Sequence, residues 1–142
     1  MFTEAQIQLA RECCERVTGI SLSHSIQVSD DENLTVEIAE EKAIIHANNV
    51  NSLTRGFFML SRAEKAGWTS GITVQKRHFA SCGAMIDVSR NAVMKVEAVK
   101  RYIDQLACLG MNVLMLYTED TFAVPEYPAF GYLRGGYTME EI

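Results

Sequence analysis

Two apolar runs, "FASCGAMIDV" at residues 79–88 and "MNVLMLYTED" at residues 111–120, constrain this chain more than any other feature. A strand with one face in water alternates in polarity, whereas a near-continuous apolar run reads as a strand covered on both faces, as in parallel sheets. Between the runs, "NAVMKVEAVKRYIDQLACLG" sets Val93, Val96, Val99, Ile103, Leu106 and Ala107 on one stripe at helical spacing and reaches Gly110 as its stop. Strand, helix and strand with short joints make one right-handed βαβ unit. "YTMEEI" then places Thr138 three residues before Glu141, the capping-box pattern that opens a helix. Residues 79–142 are therefore expected to be the first β-α-β-loop of a larger alternating fold, cut where its next helix would begin.

The preceding residues have a different texture. "EAQIQLARECCERV" carries Ile7, Leu9, Ala10, Cys13, Cys14 and Val17 near one helical face, with Thr3 as N-cap and Gly19 as stop. A polar turn follows. "NLTVEIAEEKAIIHA" reads as a hairpin about Glu40-Glu41, "VNSLTRGFFMLSRAEKAG" as a helix weakened by Gly56, and "GITVQKRHF" as another strand. Residues 1–78 are thus expected to form a small α+β sandwich of helix, hairpin, helix and strand, and residues 79–142 the start of an α/β layer.

Composition narrows the function classes. The net charge is −5 with the basic residues dispersed, which gives no footprint for nucleic acid. The start "MFTEAQIQ" lacks the basic and apolar regions of a secretory signal, and no apolar stretch approaches the roughly eighteen residues of a membrane span. The chain reads as cytoplasmic, with no membrane partner. Cys13, Cys14, Cys82 and Cys108 form no C-x-x-C and are expected to be reduced core thiols. His24, His46 and His78 share no metal-ligand spacing, so surface or strand positions are expected and no metal is implied. No G-x-G-x-x-G or P-loop is present, and no cofactor is expected.

The polar residues that close the two apolar runs are the candidate site. In folds built from βα units, ligand and catalytic groups sit at the carboxyl ends of strands. Asp87, Ser89 and Arg90 end the first run; Thr118, Glu119 and Asp120 end the second. A planar guanidinium flanked by carboxylates suits the vicinal hydroxyls of a sugar or an anionic group. The alternative is that Ser89 or Asn91 caps the following helix while Arg90 pairs with an acidic neighbour. Trp68, after Gly67, either stacks on a sugar or covers the first core.

"GAMIDVSRN", "YIDQLACLGMNVLMLYTEDTF" and "PAFGYLRGGYT", in that order and spacing, resemble the start of the catalytic barrel of the retaining β-N-acetylhexosaminidases, glycoside hydrolase family twenty. Residues 1–78, with "EEKAIIHANN" and "RGFFML", are similar to the small α+β domain that commonly precedes that (β/α)8 barrel, and "LYTED" with "FGYLRG" is closer to the bacterial members. The resemblance implies that Arg90 binds hydroxyls of the terminal sugar. It implies that Asp120 supports the catalytic acid through a histidine, and that Asp87 lies at the mouth of the first strand without a defined contact. In the family the substrate's own acetamido oxygen attacks the anomeric carbon, an aspartate orients that acetamide, and a neighbouring glutamate protonates the leaving oxygen. That Asp-Glu pair belongs to the fourth barrel strand, and a full barrel takes roughly 250 residues. Asp31-Glu32 lies in a turn of the wrong domain, and Glu119-Asp120 has the reverse order on the wrong strand. The chain is therefore expected to hold no catalytic residue and to be inactive alone, as the front of an enzyme acting on N-acetylhexosamine glycans. It is also expected to self-associate through an uncovered barrel-strand edge. The competing reading is a stand-alone, non-enzymatic α/β module with a structural or weak carbohydrate-binding role.

Overall fold

The computed structural model describes residues 1–90 and 92–142, and Asn91, one of the two candidate caps, lies outside the described residues. The described residues form a mixed α+β fold with three helices and two sheets. Helix α1 (Glu4–Thr18) opens with Thr3, whose side chain accepts from the Gln6 N–H while the Gln6 side chain accepts from the Thr3 N–H, and closes on Gly19 at φ 67°. Strands β1 (Ser25–Asp30), β2 (Leu34–Ala39) and β3 (Lys42–Ala47) precede α2 (Val50–Lys65) and β4 (Ser70–Gln75). The first sheet has the order β1-β3-β2-β4, with β1 parallel to β3 and both other pairings antiparallel.

Strand β1 falls within the expected polar turn. Its Ile26 and Val28 alternate with Ser25, Gln27 and Ser29, and it sits at the sheet edge with both flanking side chains only partly covered. A strand that hydrogen-bonds on one side needs little apolar signal, so the polar residues masked it. The α1 stripe needs one amendment as well, because Leu9 is exposed.

One face of the first sheet buries Leu34, Val36, Ile38, Ala43 and Ile45 against Ala10, Cys14, Leu53, Phe57 and Leu60 of α1 and α2. Gly56 makes this packing possible: a Cβ there would lie inside the 3.0 Å floor of real contacts against Ile45 Cγ2. The residue that weakened the helix pattern is the one that lets the helix reach the sheet.

Strands β5 (Gly83–Asp87) and β6 (Val113–Tyr117) pair in parallel, with helix α3 (Val96–Cys108) between them in sequence. Ala84, Ile86, Leu114 and Leu116 share one half-buried face, and Val88, Val99 and Tyr137 centre its core. The other face is open: Met85 is 64% exposed and Met115 56%. The expectation of strands covered on both faces therefore fails within this chain, since nothing among the described residues packs on the second face. Helix α3 starts at Val96 rather than at residue 91, after the N-cap Lys95, so Ser89 does not cap it. Thr138 and Glu141 form a turn, and the Thr138 N–H donates to the Glu141 carboxylate at 2.9 Å, one of the two bonds of the expected capping box.

Helix α3 also leans on the first layer. Cys108 is buried in the first core together with Cys13 and Cys14. Arg16 Nε donates to Asp104 Oδ2 at 3.0 Å. All four cysteines are free, but Cys82 is exposed, because it precedes β5 in an uncovered joint. No helix is long and apolar enough to cross a membrane among the described residues.

Candidate functional site

The register of the second sheet builds the site. Gly83 pairs with Val113 and Asp87 with Tyr117, so the two carboxyl ends are level and the segments that follow leave from one rim. The Val88 N–H extends the ladder to the Tyr117 carbonyl at 3.0 Å, which buries Val88 and turns the chain inward. Asp87 Oδ1 then accepts from both the N–H of Ser89, at 2.9 Å, and its hydroxyl, at 2.6 Å. This Asx turn, and not a helix cap, is the role of the buried Ser89. It fixes the carboxylate and leaves Oδ2 facing Arg90 Nη1 at 3.3 Å.

From the other strand, Glu119 adopts φ 44° and brings Oε1 to 3.8 Å from Arg90 Nη2, and the same oxygen accepts from the Tyr117 hydroxyl at 2.6 Å. The guanidinium carbon stands 5.9 Å from the Tyr117 ring centroid. Arg90 thus lies between two carboxylates and an aromatic face, with its side chain 73% exposed. The hydrogen bonds from Ser89, with Arg90 nearby, hold the Asp87 carboxyl below the usual carboxylate range. Donation to Glu119, and its negative charge, push the Tyr117 phenol above its ordinary value.

Asp87 and Arg90 therefore meet, as expected of one strand end. Asp120 does not join them: it pairs with Arg134 Nη2 at 3.6 Å, across a loop whose Gly131, at φ 67°, allows no Cβ against the Asp120 carbonyl oxygen. Thr121, fully buried, ties this turn down through its hydroxyl to the Thr118 carbonyl at 2.6 Å. The members missed from sequence are Tyr117 and the inward use of Glu119. Sequence carried no signal for this, because Glu119 lies past the end of β6 and its left-handed φ, not strand alternation, brings it to the Tyr117 hydroxyl.

The histidines lie elsewhere. His46 faces Glu37 across β2 and β3 at 3.5 Å, and His78 is exposed beyond β4. His24 is neither a surface nor a strand residue: its ring is buried against the Glu64 carboxylate, and its Nε2 has no partner. Glu64 collects Ser23 and His24 N–H groups too, because α2 ends beneath the start of β1. Trp68 lies over Gly71 at the β4 edge and is half exposed. Among the described residues no group of three His, Cys, Asp or Glu side chains is placed to hold a metal ion.

No protein-family model matches the sequence, and no curated protein matches it significantly. Solved structures do. The GH20 exo-β-N-acetylglucosaminidase of Vibrio harveyi, determined with N-acetylglucosamine, superposes with a TM-score of 0.76 over 99% of this chain, at 20% identity. The fold is that of a segment of these enzymes. The Streptomyces coelicolor GH20 β-N-acetylhexosaminidase matches 96% of the chain with a TM-score of 0.69 and 21% identity. The Flavobacterium johnsoniae chitobiase matches 96% with a TM-score of 0.69 and 19% identity. In the reverse direction the chain spans 29%, 35% and 26% of those three proteins.

Proposed function

We propose that this chain is the leading part of a β-N-acetylhexosaminidase, with residues 1–78 as the accessory α+β domain and residues 79–142 as the first βαβ of its (β/α)8 barrel. The observation that carries the reading is Arg90, fixed between Asp87 and Glu119 at the level carboxyl ends of two parallel strands. One cation and two carboxylates leave a net negative rim, which repels anions. It favours neutral vicinal hydroxyls, which accept from the guanidinium N–H groups and donate to the carboxylates. Arg90 binds the terminal sugar, with Asp87 and Glu119 flanking the guanidinium and Tyr117 beside it. Asp120 acts from the second strand end, where it meets Arg134 in place of a histidine. Acid catalysis and acetamide orientation come from a later strand, so the chain alone binds without cleaving.

Titration of the isolated chain with N-acetylglucosamine, followed by amide NMR, tests the reading. Shifts are expected at residues 87–90 and 117–119, and Arg90→Ala should abolish them; an unperturbed rim would refute it and favour a structural module. In the full-length parent, Arg90→Ala should lower kcat/KM by about 2–4 kcal/mol, as for charge-assisted bonds to a desolvated substrate. Wild-type kinetics would make Arg90 a surface residue paired with its acidic neighbours.

A further inference from the structure

Four basic side chains converge on one cavity. A cavity of about 250 Å³ opens where α2, the segment after β4 and the end of α3 meet, and Arg55, Lys76, Arg77 and His78 line it. Glu32 is the one carboxylate on its wall. In a chain of net charge −5, this is a local reversal of sign.

Arg55 and Arg77 are held without being neutralised, and the exposed Lys76 adds its charge beside them. No carboxylate lies within 4.0 Å of Arg55, Lys76 or Arg77 among the described residues, although carboxylates pair with Arg11, Arg16, Arg90 and Arg134. Arg55 donates instead to Gln75 Oε1 at 3.0 Å and to the Cys108 carbonyl at 3.2 Å, and lies 5.5 Å from the Phe58 ring centroid. Arg77 donates to Asn51 Oδ1 at 2.8 Å, and the other end of that amide donates to the Met111 carbonyl. Neutral acceptors fix a guanidinium's position but leave its charge uncompensated, and a partly buried cation without a counter-ion is costly. Burial indeed pushes Arg55 below its ordinary value. Arg55 and Arg77, already positioned by neutral acceptors, lose little further side-chain freedom when an anion arrives, and this favours binding at the cavity.

We infer that this cavity is a binding site for a compact tetrahedral oxyanion, the phosphate or sulfate group of a small molecule, gripped by Arg55, Lys76 and Arg77. The site is separate from the Arg90 rim, and its existence does not depend on the sugar reading. Phe79, 72% exposed, stands at the mouth, where it would cover an apolar or ring portion of the same ligand.

The test is amide NMR titration of the intact chain with inorganic phosphate and, separately, with sulfate, the ionic strength held constant with chloride. Saturable shifts at residues 52–55 and 75–79 are expected from at least one of the two, and the stronger binder identifies the source. Arg77→Gln, at an exposed position that leaves the melting curve unchanged, should weaken binding at least tenfold. Glu32→Gln, which removes the opposing charge, should tighten it severalfold. Shifts that rise linearly and match those of chloride, or an Arg77→Gln variant that binds as wild type, would overturn the proposal.

Discussion

Gly56→Ala separates helix propensity from packing. An isolated helix would gain about 1 kcal/mol from the change, because glycine in a helix interior carries that penalty relative to alanine. Here the new methyl would collide with Ile45 Cγ2 and stand 3.2 Å from Leu34 Cδ1, and Ile45 is fully buried on a central strand. The isoleucine has nowhere to retreat, since its branch is fixed by the backbone and its neighbours are Leu53, Phe57 and Leu60 of the same core. Overpacking of this severity sits at the upper end of about 1–3 kcal/mol. After the propensity gain, the net loss is about 2 kcal/mol, or roughly 6 °C in midpoint for a chain of this size. Urea unfolding followed by far-UV circular dichroism should show a lower midpoint with an unchanged slope. Ile45→Ala alone should cost about 2–5 kcal/mol, and adding Gly56→Ala to it should cost nothing further, because the removed Cγ2 is the clashing atom. A Gly56→Ala protein more stable than wild type would show that the close approach of α2 to β3 is not felt.

Three further outcomes follow from other parts of the chain. Burial alone would raise the Glu64 carboxyl, but the His24 side chain and the N–H groups of His24 and Ser23 outweigh it and hold the group below its ordinary 4.5. Its stabilisation is therefore complete above that value and lost as pH falls through the folded one, so Glu64→Gln should flatten the acid limb of a melting-temperature profile; an unaltered limb would exclude the pair. Ser89→Ala removes the hydroxyl bond, the largest cause of the depressed Asp87 carboxyl, and keeps the backbone N–H bond of the Asx turn, so the carboxyl titration followed by carbon NMR should move upward; an unmoved midpoint would show that the hydroxyl does not hold the carboxylate. Light scattering at micromolar concentration should reveal oligomers through the bare face and edges of β5 and β6, with Met115→Lys restoring monomer; a monomeric wild type would refute this.

Much of the architecture was legible because periodicity reports which face is buried. The Thr3 N-cap and Gly19 stop of α1, the hairpin about Glu40-Glu41 and the two apolar strands all follow from side-chain order alone. Strand β1 was hidden because an edge strand is specified by its partner β3 more than by its own apolar content. The late start of α3 was hidden because Val93 and Met94 continue the apolar stripe while packing from an extended segment. At the site, Asp87 and Arg90 were readable from position at a strand end. The part of Tyr117 and Glu119 depended on the register that makes the two strands level, and no single strand carries that information. The basic cavity could not be read at all, since Arg55 and Arg77 are far apart in sequence and meet only through the course of the segment after β4.

The last turn of α3 is shared property. Cys108 closes the helix that covers the second sheet, yet its thiol sits among Cys13 and Cys14, its carbonyl receives Arg55, and Asp104 one turn earlier receives Arg16. Recombination between related genes that cuts near residue 79 would separate these groups while each half kept its own strands. A hybrid with a foreign first layer would meet the thiol with mismatched shapes and leave Arg16 or Asp104 unanswered. The heritable unit is then wider than either sheet, and a graft that survives has to carry α1, α2 and the end of α3 together.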